Sequence, residues 1–137
     1  SIGRTYLPWM AVEAMNALEK RADKGYFLMI EASQVDWASH ANDQEWLALE
    51  MQDAFAMMKG VLAKVREDKK TLLIITADHE CSYMSLKGKR SPRVEFSTKV
   101  HSSQMVPVFA DGPGAEEFLG IYENTEIFKK MKDLLGL

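Results

Sequence analysis

The sequence predicts an α/β protein, because two short apolar runs typical of buried strands are separated by a long amphipathic helical pattern. The runs cover residues 26–30 and 71–76, and the helical pattern between them starts near residue 42. A strand, a long helix and a second strand form a parallel crossover unit, which is expected to be right-handed. With 137 residues the chain is long enough for one core, so we expect a single domain.

The first third of the chain is predicted to contain one helix and one strand. After an extended start, Pro8 is placed where a first helical turn tolerates proline. Apolar residues then recur at helical spacing as far as Gly25, and these are Ala11, Met15, Leu18 and Ala22. The continuous apolar run at 26–30 indicates a strand buried on both faces, with Glu31 at its carboxyl end. Small and polar residues from 31 to 41 predict a loop.

A long helix follows this loop. Asn42, with Glu45 three residues later, is typical of a capping box at a helix start. The charged residues 66–70 end the helix. Its predicted apolar stripe consists of Leu47, Met51, Phe55, Met58, Leu62 and Val65.

The remaining elements are shorter. Residues 71–76 form the second predicted strand, and the alternating pieces at 83–86 and 94–98 predict a small hairpin or extended excursion. Residues 106–110 predict another strand, which Pro107 pushes toward a sheet edge. A turn at 112–114 and a final helix capped by Asn124 and reaching Leu135 complete the chain.

Composition and charge exclude several functions. The formal charge is −3, so no basic field exists that would hold nucleic acid. No apolar run approaches the roughly 20 residues of a membrane-spanning helix, and no signal-peptide pattern opens the chain. The first residue is Ser1, which leaves open that a targeting segment precedes it. The single cysteine, Cys81, rules out an internal disulfide. It lies two residues after His79 and could contact a metal, but a lone cysteine is more often a small apolar filler, so it is left out of the candidate ligands.

The three histidines are the candidates for chemistry. His40 follows Asp36 by four residues, His79 follows Asp78 directly, and His101 comes after a short β-like piece. Glu31 and Asp78 both follow apolar strands, and open α/β sheets bind ligands at the carboxyl ends of their strands. Mixed carboxylates and imidazoles suit zinc or a similar metal, whereas carboxylates with water suit magnesium.

Each of these residues also has a purely structural explanation. Asp36 and His40 form a common hydrogen-bonded pair when taken alone. Asp78 caps backbone amides in many strand-end turns, and His101 fits an exposed loop. Glu31 fits a surface ion pair. The metal interpretation therefore depends on the joint placement of the six residues.

Three motifs in order resemble those of alkaline phosphatases. Residues 27–43 resemble the first metal loop of that family, and Thr-Ala-Asp-His-Glu at 76–80 resembles the second metal motif. His-Ser-Ser-Gln at 101–104, followed by 106–115, resembles the third. The resemblance runs from about Leu7 to the end and corresponds only to the later, C-terminal portion of a family member. It implies part of a three-layer α/β sandwich with a mostly parallel sheet.

The resemblance also implies a ligand set and an activity. Asp36, His40 and His101 would bind one zinc, Asp78 and His79 would contribute to a second, and Glu31 would help to hold magnesium. The implied activity is hydrolysis of phosphate monoesters in a periplasmic or secreted setting, and the resemblance also suggests a homodimer. The family's serine nucleophile and phosphate-binding arginine belong to the missing N-terminal half, so residues 1–137 alone are expected to be inactive.

Two alternatives remain open from the sequence. A phosphodiesterase, sulfatase or mutase of the same superfamily would share this pattern of aspartates and histidines. A non-catalytic domain would keep the residues for a structural metal or for none. Ala32, the 81–83 segment and Ser102 depart from the residues common in the family, which affects the surroundings of the ligands rather than the ligands themselves.

Overall fold

The structure, a computed structural model, describes residues 6–89 and 93–137. The predicted extended start falls on residues 1–5, which lie outside the described residues. The helices are α1 (Tyr6–Glu19), α2 (Gln34–Ala41), α3 (Gln44–Asp68) and α4 (Thr125–Leu135), with a 3-10 turn at Ala115–Phe118. The strands are β1 (Leu73–Ile75), β2 (Glu80–Cys81), β3 (Ser85–Lys87), β4 (Arg93–Glu95), β5 (His101–Ser102) and β6 (Phe109–Asp111).

The chain divides into two compact units. The first unit contains α1, α2, the part of α3 up to Val61, and residues 81–102. The second contains residues 62–80 and 103–137. The buried apolar residues of the first unit are Ala11, Met15, Ala38, Leu47, Ala54, Met57, Val61 and Cys81. Val65 and Phe118 are buried in the second unit.

The segment from 31 to 41, predicted as a loop, contains the helix α2. Its buried face is made of Ala38 and Ser39, which are too small to produce an apolar periodicity. Asn42 does not start the next helix but ends α2, with a left-handed φ of 55° and its amide bonded to the carbonyls of Ala38 and Ser39. Asp43 caps α3 instead, because its Oδ1 accepts a hydrogen bond of 2.9 Å from the Trp46 amide.

The long helix α3 is confirmed, but the residues that it buries lie on a neighbouring face and share only Leu47 and Val65 with the predicted stripe. The buried residues are Leu47, Ala54, Met57, Val61 and Val65. Phe55, which was predicted to be in the stripe, has 59% of its surface exposed. The apolar residues of α3 cover more than one face, so periodicity alone could not choose between neighbouring stripes.

The predicted parallel crossover is not found among the described residues. Residues 25–32 have no strand assignment, and Phe27 and Met29 are 63% and 77% exposed. A parallel strand exists only when a neighbour completes its hydrogen bonds. The two ladders of three residue pairs, β1 with β6 and β3 with β4, are antiparallel. A third two-stranded sheet joins β2 and β5.

The second unit is organised around the pair of β1 and β6. Leu73 lies opposite Asp111 in this ladder, and the adjacent turn brings Gly112 against the chain that enters β1. A Cβ atom on Gly112 would lie 2.3 Å from the Thr71 carbonyl oxygen, and the φ of this glycine is 111°. Only glycine fits such a position without moving the backbone. The final helix α4 starts directly after Asn124 and ends at Leu135, as predicted.

Asp68 closes the C-terminal end of α3. Its carboxylate accepts hydrogen bonds from the amides of Lys70 and Thr71, at 2.7 and 2.9 Å, and from the Thr71 hydroxyl at 2.7 Å. Partial burial acts to raise the pKa of Asp68, but these hydrogen bonds outweigh it and lower the pKa below its ordinary value. Hydrogen bonds to the Asp68 side chain therefore fix the end of the helix just before β1.

The predicted hairpin is formed by β3 and β4. Leu86 lies opposite Val94, and Lys87 forms an ion pair with Glu95 at 2.6 Å. Residues 90–92, between the two strands, lie outside the described residues. Across the described ranges, no helix is both long and apolar enough to cross a lipid bilayer.

Candidate metal centre

Two of the predicted ligands lie one turn apart on α2. Asp36 and His40 are separated by four residues, which places them on the same face of a helix. The distance from Asp36 Oδ2 to His40 Nε2 is 3.3 Å. Their side chains are about one third exposed, at 33% and 37%, so this face is open to solvent on one side. The helix that the sequence did not reveal is therefore what positions this pair.

The strand β5 brings His101 to the same point. Its Nε2 lies 3.2 Å from Asp36 Oδ1 and 2.9 Å from His40 Nε2. The two imidazole rings are 4.7 Å apart at their centroids and are tilted by 41°. Sixty-one positions of sequence separate the two histidines. We call Asp36, His40 and His101 the triad below.

A backbone carbonyl orients the His40 ring. His40 Nδ1 lies 2.6 Å from the Lys99 carbonyl oxygen, which can only accept a hydrogen bond. Nδ1 must therefore carry the proton, and in the neutral ring the lone pair is on Nε2. This lone pair faces Asp36 and His101. A hydrogen bond of this kind is the usual support of a metal-bound histidine.

The geometry of the triad fits a divalent cation. A tetrahedral metal with bonds of about 2.0–2.1 Å places its nitrogen and oxygen ligands about 3.3 Å apart. The three distances within the triad are 2.9, 3.2 and 3.3 Å. Asp36 Oδ1 is buried and accepts no hydrogen bond of good geometry in the described part of the chain. A cation between the three groups would satisfy that oxygen and separate lone pairs that otherwise face each other.

Hydrogen bonds between segments hold the triad in place. The Ser82 hydroxyl donates to the Ser39 carbonyl of α2 at 2.7 Å, and the Ser82 amide donates to the Val100 carbonyl at 3.0 Å. Ser82 is fully buried, so both bonds lie in a region of low dielectric. One residue therefore ties the helix carrying Asp36 and His40 to the segment carrying His101.

The structure adds Cys81, which the sequence interpretation treated as a filler. One ligand atom from each of Asp36, His40, Cys81 and His101 can be chosen so that all four lie within 4.8 Å of one another. Cys81 is only 6% exposed. Along the chain it is next to the 76–80 motif, which hides this relationship. Pairing of β2 with β5 places it beside His101 instead.

The second predicted pair, Asp78 and His79, has a different environment. Asp78 Oδ2 lies 3.2 Å from His79 Nε2, and the Asp78 side chain is 87% exposed. Asp78 also accepts a hydrogen bond from the His79 amide at 3.1 Å, which is the strand-end turn considered from the sequence. Among the described residues, no metal-sized cluster includes this pair.

Glu31 is the sixth predicted ligand. It is exposed and lines a cavity of about 50 Å³. Glu50 and Asp53 of α3 line the same cavity, together with Ser33 and Gln34 near the start of α2. Carboxylates around a small cavity match the preference of magnesium for oxygen ligands. Within the described ranges, Glu31 does not belong to the cluster formed by the triad and Cys81.

An α/β chain that gathers a carboxylate and two imidazoles at one point has the characteristics of a metalloprotein. Comparison with known families narrows this class. The model of the alkaline phosphatase family matches residues 6–93 and 85–137, which together cover nearly the whole chain. The chain belongs to the alkaline phosphatase family.

Individual relatives agree with this assignment. The chain is 32% identical over 122 residues to alkaline phosphatase 4 of Bacillus subtilis, covering 86% of this chain and 26% of that protein. The structure of alkaline phosphatase from the Antarctic bacterium TAB5 matches with a TM-score of 0.90 and 38% identity, over 97% of this chain and 42% of that one. A mutant of the TAB5 enzyme, with magnesium bound in its M3 site, matches with a TM-score of 0.84 and 36% identity, over 97% and 42% of the two chains. The chain thus spans about a quarter of the length of the curated relative and less than half of the solved structures.

Proposed function

We propose that residues 1–137 form the C-terminal, metal-ligand portion of an alkaline phosphatase catalytic domain. The observation that carries this proposal is the convergence of Asp36, His40 and His101 in a chain whose family hydrolyses phosphate monoesters. The mostly parallel sheet and three-layer sandwich predicted from the resemblance are proposed for the complete catalytic domain. In that domain, neighbouring strands would pair with the segment at 25–32, which has no strand assignment among the described residues.

The triad would hold one zinc ion. His40 and His101 would each contribute Nε2, and Asp36 would contribute a carboxylate oxygen. The Lys99 carbonyl keeps the His40 lone pair aimed at the site, and Ser82 keeps α2 and the 100–102 segment together. A bound divalent cation would neutralise charge on phosphate oxygens and lower the pKa of a bound water. The solvent-open side of the triad leaves room for a phosphate monoester.

Asp78 and His79 would contribute to a second zinc, and Glu31 would help to hold magnesium. The high exposure of Asp78 means that this pair needs ligands from outside the described residues to form a closed site. The magnesium-bearing TAB5 mutant supports a magnesium site in this family. We therefore expect weak occupancy of both sites in residues 1–137 alone.

The chemistry also requires groups that we place in the N-terminal half of the catalytic domain. A serine nucleophile and a phosphate-binding arginine are proposed to come from there, as the family resemblance implies. Alone, the chain is expected to turn over phosphate esters little or not at all. A periplasmic or secreted location and a homodimer are proposed from the family resemblance.

A chimera tests this function. The part of the TAB5 enzyme that this chain does not match would be joined to residues 6–137, loaded with zinc and magnesium, and assayed at alkaline pH with a chromogenic phosphate monoester. We expect hydrolysis that is lost with the His40→Ala substitution and absent from the unfused chain. A correctly folded, metal-loaded chimera without activity would contradict the proposal, as would hydrolysis at ordinary enzyme rates by the chain alone.

A further inference from the structure

The sulfur of Cys81 lies at the edge of the triad. Sγ belongs to the group of four atoms that are all within 4.8 Å of one another. It is 4.0 Å from the Asp36 carbonyl oxygen and 3.6 Å from the Ser82 hydroxyl. Cys81 is 6% exposed, so its thiol is directed toward the protein interior beside the triad. A cysteine in this position is within reach of any cation that the triad binds.

The triad supplies only three ligands, which leaves one tetrahedral position open. Thiolate sulfur is among the preferred zinc ligands, with a bond of about 2.3 Å. A tetrahedral zinc with one sulfur places that sulfur about 3.6 Å from its nitrogen and oxygen neighbours. Because Sγ lies within 4.8 Å of the other ligand atoms, a movement of about 1 Å toward them would bring it to this distance.

The backbone next to Cys81 is held in an uncommon conformation. Ser82 and Tyr83 both have left-handed φ angles, of 70° and 46°. Neither residue is glycine, so each conformation costs on the order of 1 kcal/mol unless surrounding contacts impose it. The Ser82 carbonyl accepts hydrogen bonds from the amides of Ser97 and Thr98, at 2.9 and 3.2 Å. These bonds fix the turn that follows Cys81 and keep its side chain next to His101.

We infer that Cys81 is a fourth ligand of the metal held by Asp36, His40 and His101, which closes the site with two nitrogens, one oxygen and one sulfur. This inference rests on the proposed function for the presence of the metal. As the metal–sulfur bond forms, the Sγ–H bond breaks and its proton passes to solvent. The sulfur makes the site selective for zinc, cobalt and cadmium over magnesium. A phosphate oxygen must then displace the thiolate or enter as a fifth ligand.

Spectra of the cobalt(II)- and zinc-loaded chain show directly whether the Cys81 sulfur binds the metal. One equivalent of cobalt(II) would be added to the full chain and to the Cys81→Ser and Cys81→Ala variants, and the absorption spectra recorded. We expect a sulfur-to-cobalt charge-transfer band in the near ultraviolet for the original chain only. X-ray absorption of the zinc-loaded chain should show one sulfur at about 2.3 Å. Cys81→Ser should lose that sulfur and bind zinc at least about tenfold more weakly.

The outcomes separate this inference from the proposed function. Metal bound by the original chain with only nitrogen and oxygen neighbours, and no charge-transfer band, would overturn the role of Cys81 and leave the triad intact. No zinc or cobalt bound by the folded original chain would overturn the triad as well. The spectra of the original chain decide the question even if a cysteine variant does not fold.

Discussion

The two Asp–His pairs of this chain differ in how much of a metal site each one brings with it. Asp36 and His40 lie on one helix, about one third exposed, with His101 within 3.3 Å of both. Asp78 and His79 are consecutive, and the Asp78 side chain is 87% exposed. A shared pattern of aspartate and histidine therefore does not make the two sites equivalent. The first pair is completed by a distant segment of its own unit, whereas the second is not completed within the described residues.

Removing one aspartate from each pair should have very unequal effects. We expect Asp36→Ala to weaken zinc binding by more than about 100-fold, or about 2.7 kcal/mol, because it removes a ligand rather than a supporting group. Asp78→Ala, the matched control, should change the affinity less than twofold. Competition with a chromophoric zinc chelator measures both. Equal losses in the two variants would break the distinction between the pairs.

Zinc should also stabilise the folded chain through the first pair. At a free zinc concentration of 100 times Kd, the gain is about 2.7 kcal/mol, which corresponds to a rise in Tm of about 10 °C. His40→Ala should abolish this rise, and His79→Ala should retain it. Differential scanning calorimetry with and without a chelator provides the measurement. A rise that survives in His40→Ala but disappears in His79→Ala would reverse the comparison.

Removing the buried hydroxyl of Ser82 tests whether the hydrogen bonds that hold α2 next to the His101 segment contribute to zinc binding by the first pair. Ser82→Ala removes the hydrogen bond from the Ser82 hydroxyl to the Ser39 carbonyl, which then accepts only from the Asn42 amide. We expect a loss of about 1 kcal/mol in the free energy of unfolding. Zinc affinity should fall by about tenfold, since the two ligand-bearing segments are no longer tied together. Ser85→Ala, at an exposed position of β3, is the control. Chemical denaturation and zinc competition would be compared, and unchanged zinc affinity in a destabilised Ser82→Ala chain would separate stability from metal binding.

The stability that Asp68 gives to the end of α3, ahead of the second Asp–His pair, should depend on pH rather than on metal. The pKa of Asp68 is lowered in the folded chain, so its hydrogen bonds stabilise the fold above the ordinary aspartate pKa of about 4 and are lost as the pH falls through the lower folded value. We expect Asp68→Asn to reduce the free energy of unfolding at neutral pH by about 1 kcal/mol. It should also flatten the acid side of the stability curve. An unchanged acid limb in urea titrations would contradict this role.

The parts of the fold that could be predicted are those specified by local signals. The position of the final helix after Asn124, the β3–β4 hairpin and the C-terminal end of α3 follow from local residue types, from alternation and from the charged residues near 66–70. The start of α3 does not, because Asn42 ends α2 instead. The helix α2 could not be predicted, because its buried residues, Ala38 and Ser39, carry almost no apolar signal. The predicted strand at 26–30 is not found, although its local signal is clear. Its apolar run is strong, but strand formation depends on a neighbour that local sequence does not specify.

In the candidate site, too, local spacing predicts some contacts, whereas others depend on how distant segments pair. The proximity of Asp36 and His40 follows from their spacing once α2 is known, and the approach of His101 was suggested only by the joint family pattern. Cys81 was missed because its neighbours in sequence belong to a different motif, whereas its neighbours in space are set by the pairing of β2 with β5. The structure brings Asp36, His40 and His101 together. The roles of these three residues as ligands, like those of Glu31, Asp78 and His79, stay predictions.

The orientation of the His40 ring is controlled by an atom that no substitution can remove. The oxygen that receives the Nδ1 proton belongs to the main chain at position 99, and the Lys99 side chain is exposed. Any amino acid at that position would present the same carbonyl. The tautomer of His40 is thereby insulated from mutation at residue 99 and is vulnerable only to a change in the path of the backbone itself.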